Sequence, residues 1–189
     1  MGTEKLDKKF LQVARKGDAV TMKMYLEPKY QIAQLYEWPL NIRLKAFVCT
    51  PSVEICEMLL NAGLTDINEC VCWSEDTEKG YFVTSETALT NAIREDNLPK
   101  VQWLVSRSVN VNKLLVYSAV DKGIQYKDET DTPLMHAVRK ESTEIVKLLL
   151  AAGADVNFKN SFGQNVLQVA TKKGLTEIVT LLKSAGAKE

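Results

Sequence analysis

The sequence has one histidine, His136, and only four cysteines, Cys49, Cys56, Cys70 and Cys72, which form no Cys-x-x-Cys pair. A structural zinc site needs about four cysteine, histidine or carboxylate ligands, and Cys-His catalysis needs a histidine beside the thiol. So few of these residues also argue against a fold held together by disulfides. We therefore expect no catalytic residue, no metal site and no cofactor.

An excess of charge and long apolar runs are absent as well. The 24 lysines and arginines balance 24 aspartates and glutamates, so no overall field would attract nucleic acid or an anionic membrane. No apolar run approaches the roughly 18 residues of a membrane span, and the N-terminus MGTEKLDKKFLQ is charged where a signal peptide is apolar. We expect a cytoplasmic protein of a reducing compartment that binds neither nucleic acid nor membrane.

What the sequence does contain is a repeat. Thr132–Ala154 aligns without a gap with Asn165–Ala187, and Thr87–Asn112 aligns in the same way with Thr132–Asn157. The first step is about 33 residues and the second about 45 residues, within the range of known repeat proteins. Two fainter copies lie upstream, at Val53–Asn68 and Phe10–Asp18. We infer five units, because self-similarity of this kind is typical of stacked repeats.

Each unit has the pattern of two short antiparallel helices. In the fourth unit Thr132 opens the first helix, Leu134 and Ala137 share one face of it, and Ser142 is placed to cap the second helix. Gly153 follows the second helix, where a left-handed backbone conformation is expected. Because one unit cannot bury the apolar face of its own helix pair, the units must stack on each other.

The motifs TPLMHAV at Thr132–Val138 and EIVKLLLAAGADVN at Glu144–Asn157, together with the shorter of the two steps, resemble the ankyrin repeat. The resemblance implies an all-α fold, an ankyrin-like α-solenoid of stacked helix-turn-helix units with β-hairpin fingers. It also implies a protein-binding module rather than an enzyme. Met135 stands where the family has a histidine, with His136 one place later, and Ser108 replaces the helix-ending glycine.

We predict a single ankyrin repeat domain over residues 1–189, with repeats at about 5–36, 37–70, 83–114, 127–159 and 160–189. One position near the end of the second helix is apolar in the inner repeats and charged in the first and last: Leu60, Val105 and Leu150 against Glu27 and Lys183. This pattern is typical of end caps. It predicts a complete array and a large loss of stability on Leu150→Lys.

The connections between repeats differ in length. The last one reaches the next helix in about 8 residues, whereas those after the second and third repeats take more than twice as many. We predict that the extra residues lengthen two β-hairpin fingers, at about 69–85 and 113–129, because CVCW, YFVT and LLVYSAV are rich in β-branched and aromatic residues. A short extra helix over LLVYSAV is the alternative. Adjacent fingers are expected to lie side by side and to pair or pack, since an isolated hairpin is marginally stable.

The resemblance suggests two candidate binding surfaces beside the concave face. The first is an aromatic wall on the fingers: Trp73, Tyr81, Phe82, Tyr117 and Tyr126. The second is a mainly basic ridge at the ends of the first helices: Lys16, Arg94, Glu95, Arg139, Lys140, Lys172 and Lys173. Solvated surface charge is the alternative interpretation of the ridge. If the ridge binds, Arg94→Glu with Arg139→Glu should abolish binding and leave the fold intact.

Three residues of the turn between the fourth and fifth repeats, Lys159, Phe162 and Gln164, complete the candidate surface. Phe162 is an apolar side chain in a polar NSFGQ turn, where packing does not obviously need it. We predict a monomeric, non-catalytic adaptor, scaffold or inhibitor that binds an acidic or amphipathic protein segment. A self-assembling structural component and, less favoured, a small thiol or zinc enzyme are the alternatives.

Overall fold

The computed structural model describes residues 3–27, 40–77, 80–121, 124–125 and 129–188, the side chains of residues 3, 73–83 and 117–129 excepted. It consists of two compact units, Met1–Val71 and Cys72–Glu189. Residues 28–36 of the predicted first repeat lie outside the described residues. In the part of the chain that the structure describes, no helix is long and apolar enough to cross a bilayer.

The first unit is built from consecutive helix pairs. Its described residues form α1 (Thr3–Lys16), α2 (Ala19–Leu26), α3 (Leu40–Cys49) and α4 (Val53–Asn61). Helix α1 packs against α3, and α2 packs against α4. Phe10, Met22, Phe47 and Ile55 are fully buried between these helices. Like helices therefore stack on like helices, as the repeat pattern predicts.

The second unit continues the same arrangement. Its helices are α5 (Ala88–Arg94), α6 (Leu98–Ser106), α7 (Pro133–Arg139), α8 (Thr143–Ala151), α9 (Val166–Lys172) and α10 (Thr176–Ser184). Helices α5, α7 and α9 pack side by side, and we call them the inner row; α6, α8 and α10 form the outer row. Leucines on both rows are buried between them: Leu89, Leu134, Leu167, Leu104, Leu149 and Leu182.

Polar side chains begin the inner-row helices. Thr132 Oγ1 accepts a hydrogen bond from the Met135 backbone N–H at 3.2 Å, and Asn165 exchanges two hydrogen bonds with Gln168 in a capping box. These contacts satisfy donors that a helix leaves free at its first turn. Ser142 precedes α8, but its side chain makes no capping hydrogen bond. The prediction that Ser142 caps the second helix was therefore wrong.

Asparagine side chains connect the loops of successive repeats in the second unit. Asn112 Oδ1 accepts from the backbone N–H of Asp155 at 2.8 Å, and its Nδ2 donates to the Gly153 carbonyl at 3.2 Å. Asn157 makes the corresponding bonds one repeat later, to Lys188 at 2.9 Å and Gly186 at 3.3 Å. Each loop is thus bound to the next by a side chain as well as by helix packing.

The residue after the second helix has a left-handed backbone in the fourth repeat, where it is glycine, and in the third, where it is serine. Gly153 has φ of 83°, as expected for a glycine in that place. Ser108 takes the same position with φ of 56°. A side chain at this φ costs backbone strain, so the third repeat keeps its loop geometry against its local preference.

The two long connections form one five-stranded sheet in the described residues. Its strands are β1 (Val71–Thr77), β2 (Gly80–Glu86), β3 (Leu115–Asp121), β4 (Ile124–Gln125) and β5 (Glu129–Asp131). The order is β1-β2-β3-β4, and β5 also pairs with β3. Strands β2 and β3 are antiparallel, from Tyr81 opposite Val120 to Ser85 opposite Val116. The predicted pairing of the fingers is confirmed, and the alternative of a helix over LLVYSAV was wrong.

The buried leucine near the end of the second helix is Leu149, one residue before the predicted Leu150. Leu150 is only half-buried, whereas Leu149 is fully buried, like its equivalents Leu59, Leu104 and Leu182. Neighbouring residues on a helix point about 100° apart. A charged residue in the column of Leu150 can therefore reach water, which is why Glu27 and Lys183 are tolerated there.

Replacing Leu149 should therefore weaken the fold much more than replacing Leu150. We expect Leu149→Ala to lower the free energy of unfolding by about 2–5 kcal/mol, because it leaves a cavity between the rows. We expect Leu150→Lys to cost only about 1 kcal/mol. Urea denaturation of both variants checks this, and a larger loss for Leu150→Lys would contradict the burial pattern.

Candidate functional site

Two strands of the sheet end in carboxylates that contact the inner-row helices α5 and α7. Glu86 is the last residue of β2 and is 5% exposed. Asp131 is the last residue of β5, with a side chain 13% exposed. Each directly precedes the threonine that begins the next inner-row helix, Thr87 or Thr132. The sheet therefore meets the helices at a negative charge that is largely removed from water.

Arg94, the last residue of α5, neutralises the first of these carboxylates. Its Nε lies 3.0 Å from Glu86 Oε1, and its Nη2 donates to Glu86 Oε2 at 3.4 Å. Asn91 Nδ2 donates to the same Oε2 at 3.2 Å. A planar guanidinium that uses two nitrogens matches both oxygens of a carboxylate, so the strand end is held in a defined position on the helix.

The second carboxylate is also held by an arginine, but through a single guanidinium nitrogen. Arg139 Nη2 lies 3.1 Å from Asp131 Oδ2 and donates to Oδ1 at 3.3 Å. Asn160 Nδ2, from the next connection, also donates to Oδ1 at 3.3 Å. We call the pairs Glu86–Arg94 and Asp131–Arg139 the arginine clamps. They tie the last residues of β2 and β5 to the inner-row helices α5 and α7.

The clamps change the interpretation of the predicted basic ridge. The charges of Arg94 and Arg139 are paired within the chain, and Glu95 adds a further carboxylate 3.4 Å from Arg94 Nη2. Neither arginine is therefore a free surface cation. Reversing both charges is therefore expected to weaken the fold as well, because each new carboxylate would face a largely buried one.

Free positive charge lies at the other end of the ridge. Lys140 and Lys172 are exposed, and neither forms an ion pair within the described residues. Lys173 Nζ is engaged, since it donates to the Arg139 carbonyl at 2.9 Å and to Glu141 Oε1 at 2.5 Å. Lys16 is an exposed residue at the end of α1, in the first unit.

The turn before α9 presents Phe162 to solvent. Its side chain is 61% exposed, among the most exposed large apolar side chains described, so the apolar surface predicted there is present. Beneath it, the buried Asn160 accepts with Oδ1 from the backbone N–H groups of Phe162 at 3.1 Å and Gln164 at 3.0 Å. Lys159 is exposed and Gln164 half-buried. The exposed ring therefore stands on an ordered turn.

The aromatic wall can be followed only along the backbone. Trp73 belongs to β1, Tyr81 and Phe82 to β2, and Tyr117 to β3. The side chains of these four residues, and Tyr126 as a whole, lie outside the described part of the chain. Their role in binding stays a prediction.

The cysteines show no arrangement that suggests chemistry. Cys56 is buried, Cys49 and Cys70 are half-buried, and Cys72 is exposed. Cys49 lies on α3, where its Sγ contacts the Ala46 carbonyl at 3.7 Å. Across the residues that the structure describes, no three His, Cys, Asp or Glu side chains are grouped closely enough to hold a metal ion.

His136 lies on α7 between the two clamps. Burial lowers its pKa below the ordinary value of 6.5; Asp131 opposes this effect, whereas Arg139 and Arg94 add to it. Met135, at the place of the family's histidine, is 1% exposed and belongs to the core. The histidine is thus a polar residue of the inner row whose charged form the fold disfavours.

Sequence reasoning missed the acidic partners of the arginines. Glu86 and Asp131 are related by the same step as Arg94 and Arg139, namely the step from the third repeat to the fourth. An acid and an arginine that recur together at the repeat step were therefore a visible signal. It was missed because the aligned segments begin at Thr87 and Thr132, one residue after Glu86 and Asp131.

The comparisons with known proteins agree with this architecture. The mouse Ankyrin repeat and SOCS box protein 11 is 31% identical over 106 residues, which are 52% of this chain and 32% of that protein. The Putative ankyrin repeat protein R664 of Acanthamoeba polyphaga mimivirus is 33% identical over 86 residues, 41% of this chain and 53% of that one. The chain thus spans between a third and about half of these relatives.

The human Ankyrin repeat and SOCS box protein 5 is 43% identical over 61 residues, 32% of this chain and 18% of that protein. The family model for ankyrin repeats, in three copies, matches residues 108–189. The chain thus contains ankyrin repeats over these residues. Its predicted class, an all-α ankyrin-like solenoid, is confirmed. Ankyrin repeats are generally protein-interaction modules, and the family is generally non-enzymatic.

Charge reversal within a clamp should destabilise this protein. We expect Arg94→Glu to lower the free energy of unfolding by about 1–3 kcal/mol, because Glu86 loses its counter-ion and gains a like charge. Lys140→Glu, at an exposed position without an ion pair in the described residues, is the matched control and should stay within about 0.5 kcal/mol. Chemical denaturation of the wild type and both variants measures these differences. If Arg94→Glu were as stable as Lys140→Glu, the clamp would contribute nothing to the free energy of unfolding.

The lowered pKa of His136 predicts a pH dependence of stability. Below pH 6.5 the unfolded chain binds a proton at His136 that the folded chain resists, so the free energy of unfolding should fall as the pH drops from about 7 to 5. His136→Gln should flatten the curve in that range, since glutamine does not titrate. Parallel curves for the two proteins would show that His136 makes no such contribution.

Proposed function

We propose that this protein is a non-catalytic adaptor, scaffold or inhibitor that binds a protein partner through its inner-row face and hairpin fingers. The observation that carries the proposal is the clamped sheet. Five strands from two connections are paired with each other and fixed to the ends of α5 and α7 by the arginine clamps. Connections that only linked repeats would not need to form paired strands bound to the helices.

A surface held in this way favours binding for a thermodynamic reason. Association costs free energy whenever loops or side chains must be ordered. The paired strands and the hydrogen-bonded turn at Asn160–Gln164 are already ordered in the free protein. More of the free energy of contact is then available as affinity.

Charge favours a partner with acidic and apolar groups. Lys140, Lys159 and Lys172 are exposed cations, and Phe162 is an exposed aromatic side chain on the same unit. Opposite charge steers association and apolar groups contribute affinity. The names of two relatives join ankyrin repeats to a SOCS box, which is a precedent for repeats acting as one module of an adaptor.

The proposal includes a monomer, with no nucleic-acid or membrane partner, acting in the cytoplasm. Strands β2 and β3 of one chain pair with each other. The fingers therefore have an intramolecular partner and do not need a second copy to complete the sheet.

Shortening both fingers should remove binding without removing the fold. The variant cuts the two long connections to the length of the last one and keeps Glu86 and Asp131, so that the clamps can still form. Affinity capture from the native source, with quantitative mass spectrometry, should recover a partner with the wild type and about tenfold less of it with the variant.

The control for this experiment is the stability of the variant. Its helical circular dichroism and cooperative melting should match those of the wild type, since the helix rows are unchanged. A folded variant that captures the same proteins in equal amounts would contradict a role for the fingers.

A further inference from the structure

We propose that the fifth repeat binds a carboxylate of the partner at Lys172, the last residue of α9, and an apolar group of the partner at Phe162, on the turn that precedes this helix. The occupant of this surface is a short protein segment in which an acidic residue lies next to an apolar one. The inference rests on the proposed function and deepens it, because it assigns both a place and a chemistry to the contact.

The first argument is the internal comparison of three repeats. In the third and fourth repeats the residue before the N-cap of the inner-row helix is Glu86 or Asp131, and the helix ends in Arg94 or Arg139. In the fifth repeat the same two positions carry Gln164 and Lys172. The cation is kept and the internal carboxylate is replaced by a neutral amide.

Among the described residues, no acid pairs with Lys172 in place of the missing carboxylate. Lys140, at the end of α7, forms no ion pair there either. Lys172 also borders an open groove of about 520 Å³ lined by Leu167, Gln168, Thr171, Val179 and Lys183. These lining residues include a second cation and no carboxylate, so charge complementarity favours an acidic occupant.

An exposed aromatic side chain, Phe162, lies on the hydrogen-bonded turn that contains Gln164. Phe162 lies two residues before Gln164 in the chain, at most about 7 Å along the backbone. Its turn is closed by Gly163 N–H to the Asn160 carbonyl at 2.8 Å and by Asn160 N–H to the Gln164 carbonyl at 2.9 Å. Gly163 has φ of 75°, a conformation that glycine adopts at low cost. An exposed ring on such a turn can contact an apolar side chain without prior ordering.

The decisive variant is Gln164→Glu. It restores the carboxylate that the two preceding repeats have at this position, so that Lys172 gains an internal partner and competes less well for an external one. We expect the free energy of unfolding to stay the same or rise. Affinity for an acidic segment should fall about tenfold. Gln164→Asn, which remains neutral, is the matched control and should bind like the wild type.

The probe is a displayed library of random short peptides, selected on the wild-type protein, with dissociation constants of the enriched peptides measured by fluorescence anisotropy. The peptides should share an acidic residue next to an apolar one. Lys172→Gln and Phe162→Ala should each weaken them about tenfold, and Lys172→Arg should retain binding. Lys9→Gln, which removes an exposed lysine of α1, is the control for loss of charge elsewhere.

Salt separates the two components of the contact. A carboxylate held by an exposed lysine is screened, so the affinity should fall as ionic strength rises. That dependence should be smaller in Gln164→Glu and in Lys172→Gln, where the charge contact is already lost. Phe162→Ala should leave it unchanged.

Three results would overturn the inference. Enriched peptides could lack acidic residues, they could bind Gln164→Glu within about twofold of the wild type, or no peptide could bind saturably. The proposed function fails on a different result, namely a folded finger-shortened variant that still captures the partner. Peptides that bind but ignore Lys172 would thus reject the fifth-repeat site and leave the adaptor role standing.

Discussion

The apolar face that a single helix pair cannot bury is the constraint on which the rest of this structure depends. Leu104, Leu149 and Leu182 are fully buried because each outer-row helix is packed against the next and against the inner row. No repeat could hold these side chains out of water alone. Stacking then brings the connections of successive repeats side by side, and the paired sheet and the asparagine bonds between loops follow from that proximity.

The arginine clamps show how a connection becomes part of a surface. Paired strands alone would fix the sheet only to itself, but Glu86 and Asp131 tie it to the ends of α5 and α7. The positive charges used for this are no longer available to a partner. Lys140 and Lys172 form no ion pair among the described residues, and Lys172 is the one that occupies a clamp position whose acid has been replaced, so the proposed contact lies there rather than along the whole ridge.

Much of the fold could be predicted because local rules and the repeat agree. Thr132 caps α7, Gly153 has a left-handed backbone, and the two lengthened connections form paired strands. The wrong predictions concern the roles of single residues. Leu150 was expected to be the buried position, whereas Leu149 is, because periodicity identifies an apolar face more reliably than the one position at its centre. Ser142 had the right residue type for a cap but not the hydrogen bond.

The sequence by itself determined the repeat, the helix pairs and the presence of an exposed phenylalanine in a polar turn, because these depend on spacing and local preference. Only the tertiary structure decided which charges are free. Glu86 and Arg94 lie close in the chain, yet whether they pair depends on where the sheet places the strand end against the helix end. The predicted row of cations therefore contains arginines held by buried carboxylates, Lys173 bonded to Glu141, and lysines such as Lys140 and Lys172 that form no ion pair among the described residues.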